Sequence, residues 1–210
     1  MPLIFMIVGY FIINTVGKPV IDFAKSTTSL LLLNDKPDFQ KKSVNLYDGV
    51  DNQKSDDGKL LASQITYPKV GDRYGEVIID KVDIKTPLFY GDSTDVLAQG
   101  AGMYANSKFP GEMGTTIIGG HNQPIFGNIY YLQVGDEFVI KTNYGEFTYR
   151  VIETKIIQSD DPMVLEELGQ TKEQRAFLYT CYPLDAIGWA RDRAIVIGKQ
   201  ISGPTVDEHH

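Results

Sequence analysis

The chain is poor in the side chains that carry covalent and metal chemistry: 210 residues hold one cysteine, Cys181, three histidines and one tryptophan. A single thiol excludes an internal disulfide and a thiolate-rich zinc site, and it leaves the redox compartment open. A basic excess is missing too. Twenty Lys and Arg against 27 Asp and Glu leave a net charge of −7 and a pI of about 4.9. With no basic stripe to displace counterions from phosphates, the composition argues against a nucleic-acid partner. No internal repeat or low-complexity tract is present.

Long apolar runs are confined to the beginning of the chain, where "MPLIFMIVGYFIINTVG" carries no charge before Lys18. A helix needs about 17–25 apolar residues to cross the hydrocarbon core, so this run lies at the short edge. Nothing basic precedes it and no small-x-small cleavage site follows it. An uncleaved signal-anchor over residues 1–21 is therefore favoured over a cleaved signal peptide. Gly9, Gly17 and the β-branched residues make a buried soluble helix the poorer account. The anchor predicts a single-pass membrane protein with its folded part outside the cell. Residues 22–66, rich in Ser, Thr, Asp, Asn and Lys, read as a solvated stalk, with Leu30–Leu33 docking on the domain as a short helix.

What the chain has in quantity is aromatic residues and glycine: twelve Tyr, ten Phe and twenty Gly. From residue 67 these fall into short β-branched or aromatic runs bounded by turn residues. "GEVIID", "TTIIGG", "EFVIKT", "EFTYRVIETKII", "AFLYT" and "RAIVIG" are the predicted strands. "TNYGEF" predicts a tight hairpin with Gly145 in a left-handed conformation. "STDVLAQG" predicts a short helix opened by Ser93 or Thr94, and "DPMVLEELGQTKEQ" a polar insertion with a helical turn. The pattern predicts a mainly β fold, one closed or nearly closed barrel over 67–203 with a few short helices, and a flexible tail over 204–210.

His209 and His210 end the chain, which leaves His121 as the histidine of the domain. It stands at the polar exit of "TTIIGG". Cys181 has the same address, after "AFLYT" and before a turn with Pro183. A lone cysteine is ordinarily a small buried hydrophobe. A thiol beside an imidazole is instead an efficient nucleophile. Arg191 and Arg193 precede the final apolar run and share one face of it. Either is a solvated strand end if taken alone. Over the sheet rim, either could stabilise an oxyanion or hold a peptide carbonyl. A papain-like hydrolase fits poorly, because its cysteine starts a helix and its histidine follows the cysteine. A membrane-tethered binding barrel with an inert Cys181 is the non-enzymatic alternative.

In this order the motifs resemble the sortases, cysteine transpeptidases of Gram-positive cell surfaces. "FPGEMGTTIIGGHN" resembles the segment delivering the family's histidine, "FLYTC" its Thr-Leu-x-Thr-Cys signature, and "RDRAIV" its arginine before an apolar strand. The resemblance covers about residues 74–200 and departs from the pattern at Phe177, Tyr179 and "GMY". It implies a barrel of about eight strands, with Cys181 as nucleophile, His121 as acid and base, and Arg193 (Arg191 as fallback) on the oxyanion. The implied substrate is a Leu-Pro-x-Thr-Gly-like sorting signal cut between Thr and Gly, and the implied acceptor is a peptidoglycan precursor amine. Thr180, Leu97, Ala98, Ala101, Val164, Leu165 and Ile195 are the candidate substrate-binding residues. Without an Asp-Pro-aromatic lid or a second membrane segment, the chain reads as class A or D rather than as a pilin polymerase. No cofactor is expected. Some relatives bind calcium, but Asp160, Asp161, Glu166 and Glu167 read as a solvated acidic loop, with Glu112 the only acid in the facing segment.

Overall fold

The structure is a computed structural model that describes residues 59–184 and 190–207. The apolar run at residues 1–17 and the Leu30–Leu33 patch lie outside the described residues. Among the described residues no helix is long and apolar enough to cross a membrane.

Eight strands close into a barrel: β2 (Arg73–Ile79), β3 (Ile84–Tyr90), β4 (Ala101–Met103), β5 (Gly114–Gly119), β6 (Glu137–Thr142), β7 (Gly145–Gln158), β8 (Gln174–Tyr182) and β9 (Asp192–Ser202). Their order around the barrel is β2-β3-β4-β5-β8-β9-β7-β6. The pairs β3/β4 and β5/β8 are parallel and the other six antiparallel. Helix α1 (Thr94–Leu97) joins β3 to β4, and α2 (Met163–Gly169) joins β7 to β8.

Period-two alternation decides what each strand buries. On β8, Ala176 and Leu178 enter the main core with Val77, Met103, Ile118, Phe138 and Val196. Phe177 and Tyr179 face the other way, into a second apolar cluster with Ile117, Ile157, Ile195 and Ile197, which Met163, Val164 and Leu168 of α2 cover. The barrel therefore has a filled lumen and, on one outer face, an apolar floor roofed by the α2 connection.

Two boundaries differ from the sequence reading. Residues assigned to the stalk and to the flexible tail form a further two-stranded sheet, β1 (Lys59–Leu61) running parallel to β10 (Thr205–Asp207). Leu60 and Val206 face each other in its register and both join the main core. Burial of one apolar side chain from each strand, together with the bond from the Val206 amide to the Gly111 carbonyl at 2.8 Å, holds the strands to the domain. The β6–β7 turn also forms without a left-handed Gly145, which has no positive φ and begins β7 opposite Thr142. The Thr142 hydroxyl accepts from the amides of Tyr144 (3.3 Å) and Gly145 (3.1 Å), so a side chain closes the turn.

Candidate active site

Strands β5, β8 and β9 lie side by side, and their register lays the outer face out in rows. The rows are Thr115–Arg175–Lys199, Ile117–Phe177–Ile197, Gly119–Tyr179–Ile195 and, at the strand ends, Cys181–Arg193. The Gly120 amide donates to the Tyr179 carbonyl at 3.2 Å, extending the β5–β8 pairing past the end of β5. His121 follows in extended backbone (φ −61°, ψ 143°). One step further the register puts His121 beside Cys181, on the strand flanking it opposite Arg193. Neighbouring strands are about 4.8 Å apart, so imidazole, thiol and guanidinium start from three adjacent strand ends on one face.

The "GGH" sequence has a packing reason. A Cβ on Gly119 would stand 2.4 Å from Cζ of Tyr179, and one on Gly120 would stand 2.7 Å from Cγ of Phe126. The two rings, one on each face, close over the glycines and hold the chain that leads into His121. Beneath the site Thr180 Oγ1 donates to the Gly120 carbonyl at 2.9 Å. Beyond it the Asn122 Nδ2 donates to the Leu184 carbonyl at 3.0 Å, tying the histidine loop to the segment after the cysteine. The His121 carbonyl accepts from the Phe126 amide at 2.7 Å.

Cys181 is partly exposed. Arg193 is its direct cross-strand partner, and its Nη1 donates to the Asp192 carbonyl at 2.8 Å. Arg191 is exposed and precedes β9, and its carbonyl accepts from the Ser159 amide at 3.0 Å. Of the two arginines, only Arg193 is in register with the thiol.

Burial disfavours the His121 imidazolium and lowers its pKa from the ordinary 6.5. A folded pKa below the unfolded one means that the unfolded chain binds the extra proton first as pH falls. The stabilisation is complete above 6.5 and is lost downward from there until the folded value is passed. Between about pH 7 and pH 5 the urea midpoint of the wild type is expected to fall more steeply than that of His121→Gln. Parallel curves would refute the assignment.

From the Cys181 row a groove of about 350 Å³ runs back over the apolar floor, with Ile117, Phe177, Tyr179 and Ile195 below and Val164, Leu165 and Leu168 of α2 above. Three of the candidate groove residues, Val164, Leu165 and Ile195, line it. Four do not. Ala101 is fully buried in the lumen core, because its strand alternation points it inward. Ala98 is exposed past the end of α1, and Leu97 packs over Gly102 outside the groove lining. Thr180 is fully buried, so it supports the histidine segment and offers no surface to a peptide. The sequence reading missed Phe177, Tyr179, Tyr104, Ile117 and Asp92 as groove residues. Alternation back from Cys181 would have marked the first two.

The acids of the insertion are not one solvated loop. Asp160 and Glu166 are exposed, and Asp161 Oδ1 accepts from the Met163 amide at 2.9 Å. Glu167 is buried, accepting from Arg175 Nη1 at 2.8 Å and Thr115 Oγ1 at 2.9 Å, which pins α2 to the far end of the floor. Across the domain Glu112 accepts from the Tyr67 hydroxyl at 2.7 Å and the Phe109 amide at 2.8 Å. Among the described residues no three acids, histidines or cysteines are grouped to hold a metal ion.

Comparison with known proteins supports the same reading. A family model described as the sortase domain matches residues 77–201, more than half of the chain. Sortase D of Bacillus subtilis (strain 168) is 33% identical over 135 residues, covering 64% of this chain and 67% of the relative. Sortase A of Listeria monocytogenes is 27% identical over 110 residues, 51% of this chain and 48% of that protein. Among solved structures, a Clostridium perfringens sortase D5 transpeptidase superposes with a TM-score of 0.57 at 33% identity, covering 65% of this chain and 83% of the other. A pilus-related sortase C of Group B Streptococcus gives 0.57 at 28% identity, covering 64% and 70%. The affinity is to class D, as the sequence suggests, and to class C, which it argued against. The chain belongs to the sortase family, the cysteine transpeptidases that anchor proteins to the cell wall.

Proposed function

We propose that Cys181 cleaves a Leu-Pro-x-Thr-Gly-like sorting signal between Thr and Gly and passes the acyl part to an amine of a peptidoglycan precursor. The carrying observation is the register that sets Cys181 opposite Arg193, which also lines the apolar groove, with His121 two residues past the end of the flanking strand β5. The thiolate attacks the threonine carbonyl, and the Arg193 guanidinium donates to the resulting oxyanion. Collapse of the tetrahedral adduct expels the glycine amine, which takes a proton from His121 and leaves a thioester on Cys181. An incoming amine loses its proton to His121 as it attacks the thioester, and the Cys181 thiolate is released as the new amide bond forms. Water in place of the amine gives hydrolysis.

Burial, which lowers the His121 pKa, makes the imidazolium a stronger acid and a scarcer one at neutral pH. The groove floor of Ile117, Phe177 and Ile195 suits the leucine and proline of the signal. A sortase C from Clostridium perfringens has been solved with its C-terminal cell wall sorting motif, which supports a peptide of this class as the occupant. Residues 1–21 would tether the enzyme to the membrane, where secreted precursors and cell-wall amines meet.

The test is a panel of fluorogenic sorting-signal peptides, each with and without oligoglycine or a diamino-acid amine. Cleavage of Leu-Pro-x-Thr-Gly peptides, with a ligated product formed only when amine is present, is the expected result. Cleavage of none of them would overturn the proposal.

A further inference from the structure

One carboxylate, that of Asp92, stands on the wall of the apolar groove with no hydrogen bond or ion pair from the described residues. Of the described residues lining the groove only Asp92 and Arg193 are charged. Most other acids near the site are engaged: Glu167 by Arg175 and Thr115, Glu173 by Arg175 and Lys199, Asp161 by a backbone amide. The Asp92 carboxylate receives no hydrogen bond or ion pair from the described residues.

Its position is built by glycines. The row of Tyr179 continues across the sheet as Gly102–Gly119–Tyr179–Ile195. Tyr179 lies flat over Gly119, its hydroxyl 2.5 Å from where a Cβ would be. Gly102 likewise lets the segment after β3 lie on β4, since a Cβ there would stand 2.6 Å from the Gly91 carbonyl oxygen and 3.1 Å from Cα of Asp92. The Gly91 amide, with φ at +101°, fixes that segment by donating to the Met103 carbonyl at 2.8 Å. Asp92 is thus held on the β4 bank of the groove and Arg193 on the β9 bank, with the Tyr179 ring between them.

The field at Tyr179 agrees with this placement. Its phenol is pushed up to about 12, first by burial and then by the Asp92 charge, against a smaller opposing effect of Arg193.

We infer that Asp92 selects the variable residue of the sorting signal, favouring a cationic or amide side chain and disfavouring an acidic one. This rests on the sorting-signal reading of the groove. Strand and extended substrate both rise about 3.3 Å per residue, so the Tyr179 row lies under the second or third residue before the scissile bond. In a Leu-Pro-x-Thr-Gly peptide the proline there has no side-chain donor. The variable residue does, and a carboxylate beside it attracts a cation and repels an anion across partly desolvated space.

The experiment compares kcat/KM for Leu-Pro-x-Thr-Gly peptides with Lys, Gln, Ala or Glu at the variable position, for the wild type, Asp92→Asn and Asp92→Lys. The wild type should prefer Lys over Glu by about tenfold, Asp92→Asn should bring the two within about twofold, and Asp92→Lys should invert the order. Raising the salt concentration should shrink the wild-type preference, because the site opens to solvent. Cleavage of all four peptides with the same ranking in all three proteins overturns the role of Asp92 and leaves the sorting-signal reading standing. Cleavage of none by any of them overturns both.

Discussion

Replacing Cys181 by alanine is expected to abolish both cleavage of a sorting-signal peptide and transfer to an amine, by at least about 10³-fold. The serine or cysteine of such a constellation is not one contributor among several. Without it no acyl-enzyme forms, and the imidazole and guanidinium have nothing to act on. Cys181 is partly exposed on the outer face of β8, so losing its sulfur leaves no cavity in the lumen core. The melting temperature should stay within about 2 °C of the wild type. Mass spectrometry supplies the complementary measurement. The wild type, mixed with peptide and no amine, should carry an acyl adduct on the peptide containing Cys181, and the variant none. Residual transfer activity in Cys181→Ala would remove the thiol from the mechanism.

The second large effect is expected at Arg193. It faces Cys181 directly across the β8–β9 pair, where side chains on opposed residues start about 4.5–5.5 Å apart. Under the proposed mechanism, charge that develops on the threonine carbonyl oxygen during thiol attack arises beside this guanidinium. Loss of one oxyanion donor in a comparable setting costs about 10²–10³ in kcat, and Arg193→Ala should fall in that range. Arg193→Lys should recover only part of the loss, since a single ammonium cannot reproduce the planar fork that donates to two acceptors at once. Arg191→Ala should change kcat/KM by less than about threefold, because Arg191 precedes β9 and is exposed. Equal effects at the two arginines would show that register does not select the catalytic one.

Much of this was readable from the chain alone, for reasons specific to each element. The run "EFVIKT" is strand β6 residue for residue, because a turn flanks it on either side and alternation fills it. His121 and Cys181 were placed at polar exits of apolar runs, and the parallel β5–β8 pairing makes those exits neighbours. The choice of Arg193 over Arg191 rests on spacing to the apolar run, and in the cross-strand register Arg193 is the one paired with Cys181.

Other features left no local signal. Strands β1 and β10 have three residues each and one buried apolar side chain apiece, too few to display a period. The β6–β7 turn contains a glycine, the usual mark of a left-handed position, yet a threonine hydroxyl closes it. The groove residues were the least legible. Ala101 and Ile195 look alike in sequence, but one enters the lumen and the other the outer floor, because strands β4 and β9 present opposite phases of their alternation.

Periodicity and motif order are properties of neighbours along the chain, so the sequence alone was enough for the family, for six of the eight barrel strands, and for Cys181, His121 and Arg193 as candidate site residues. Only the tertiary structure decided which faces of those strands meet. It set the apolar floor under α2, the inward turn of Thr180 and the place of Asp92 on the groove wall. Each of these depends on register between strands far apart in the chain, and no local pattern encodes that.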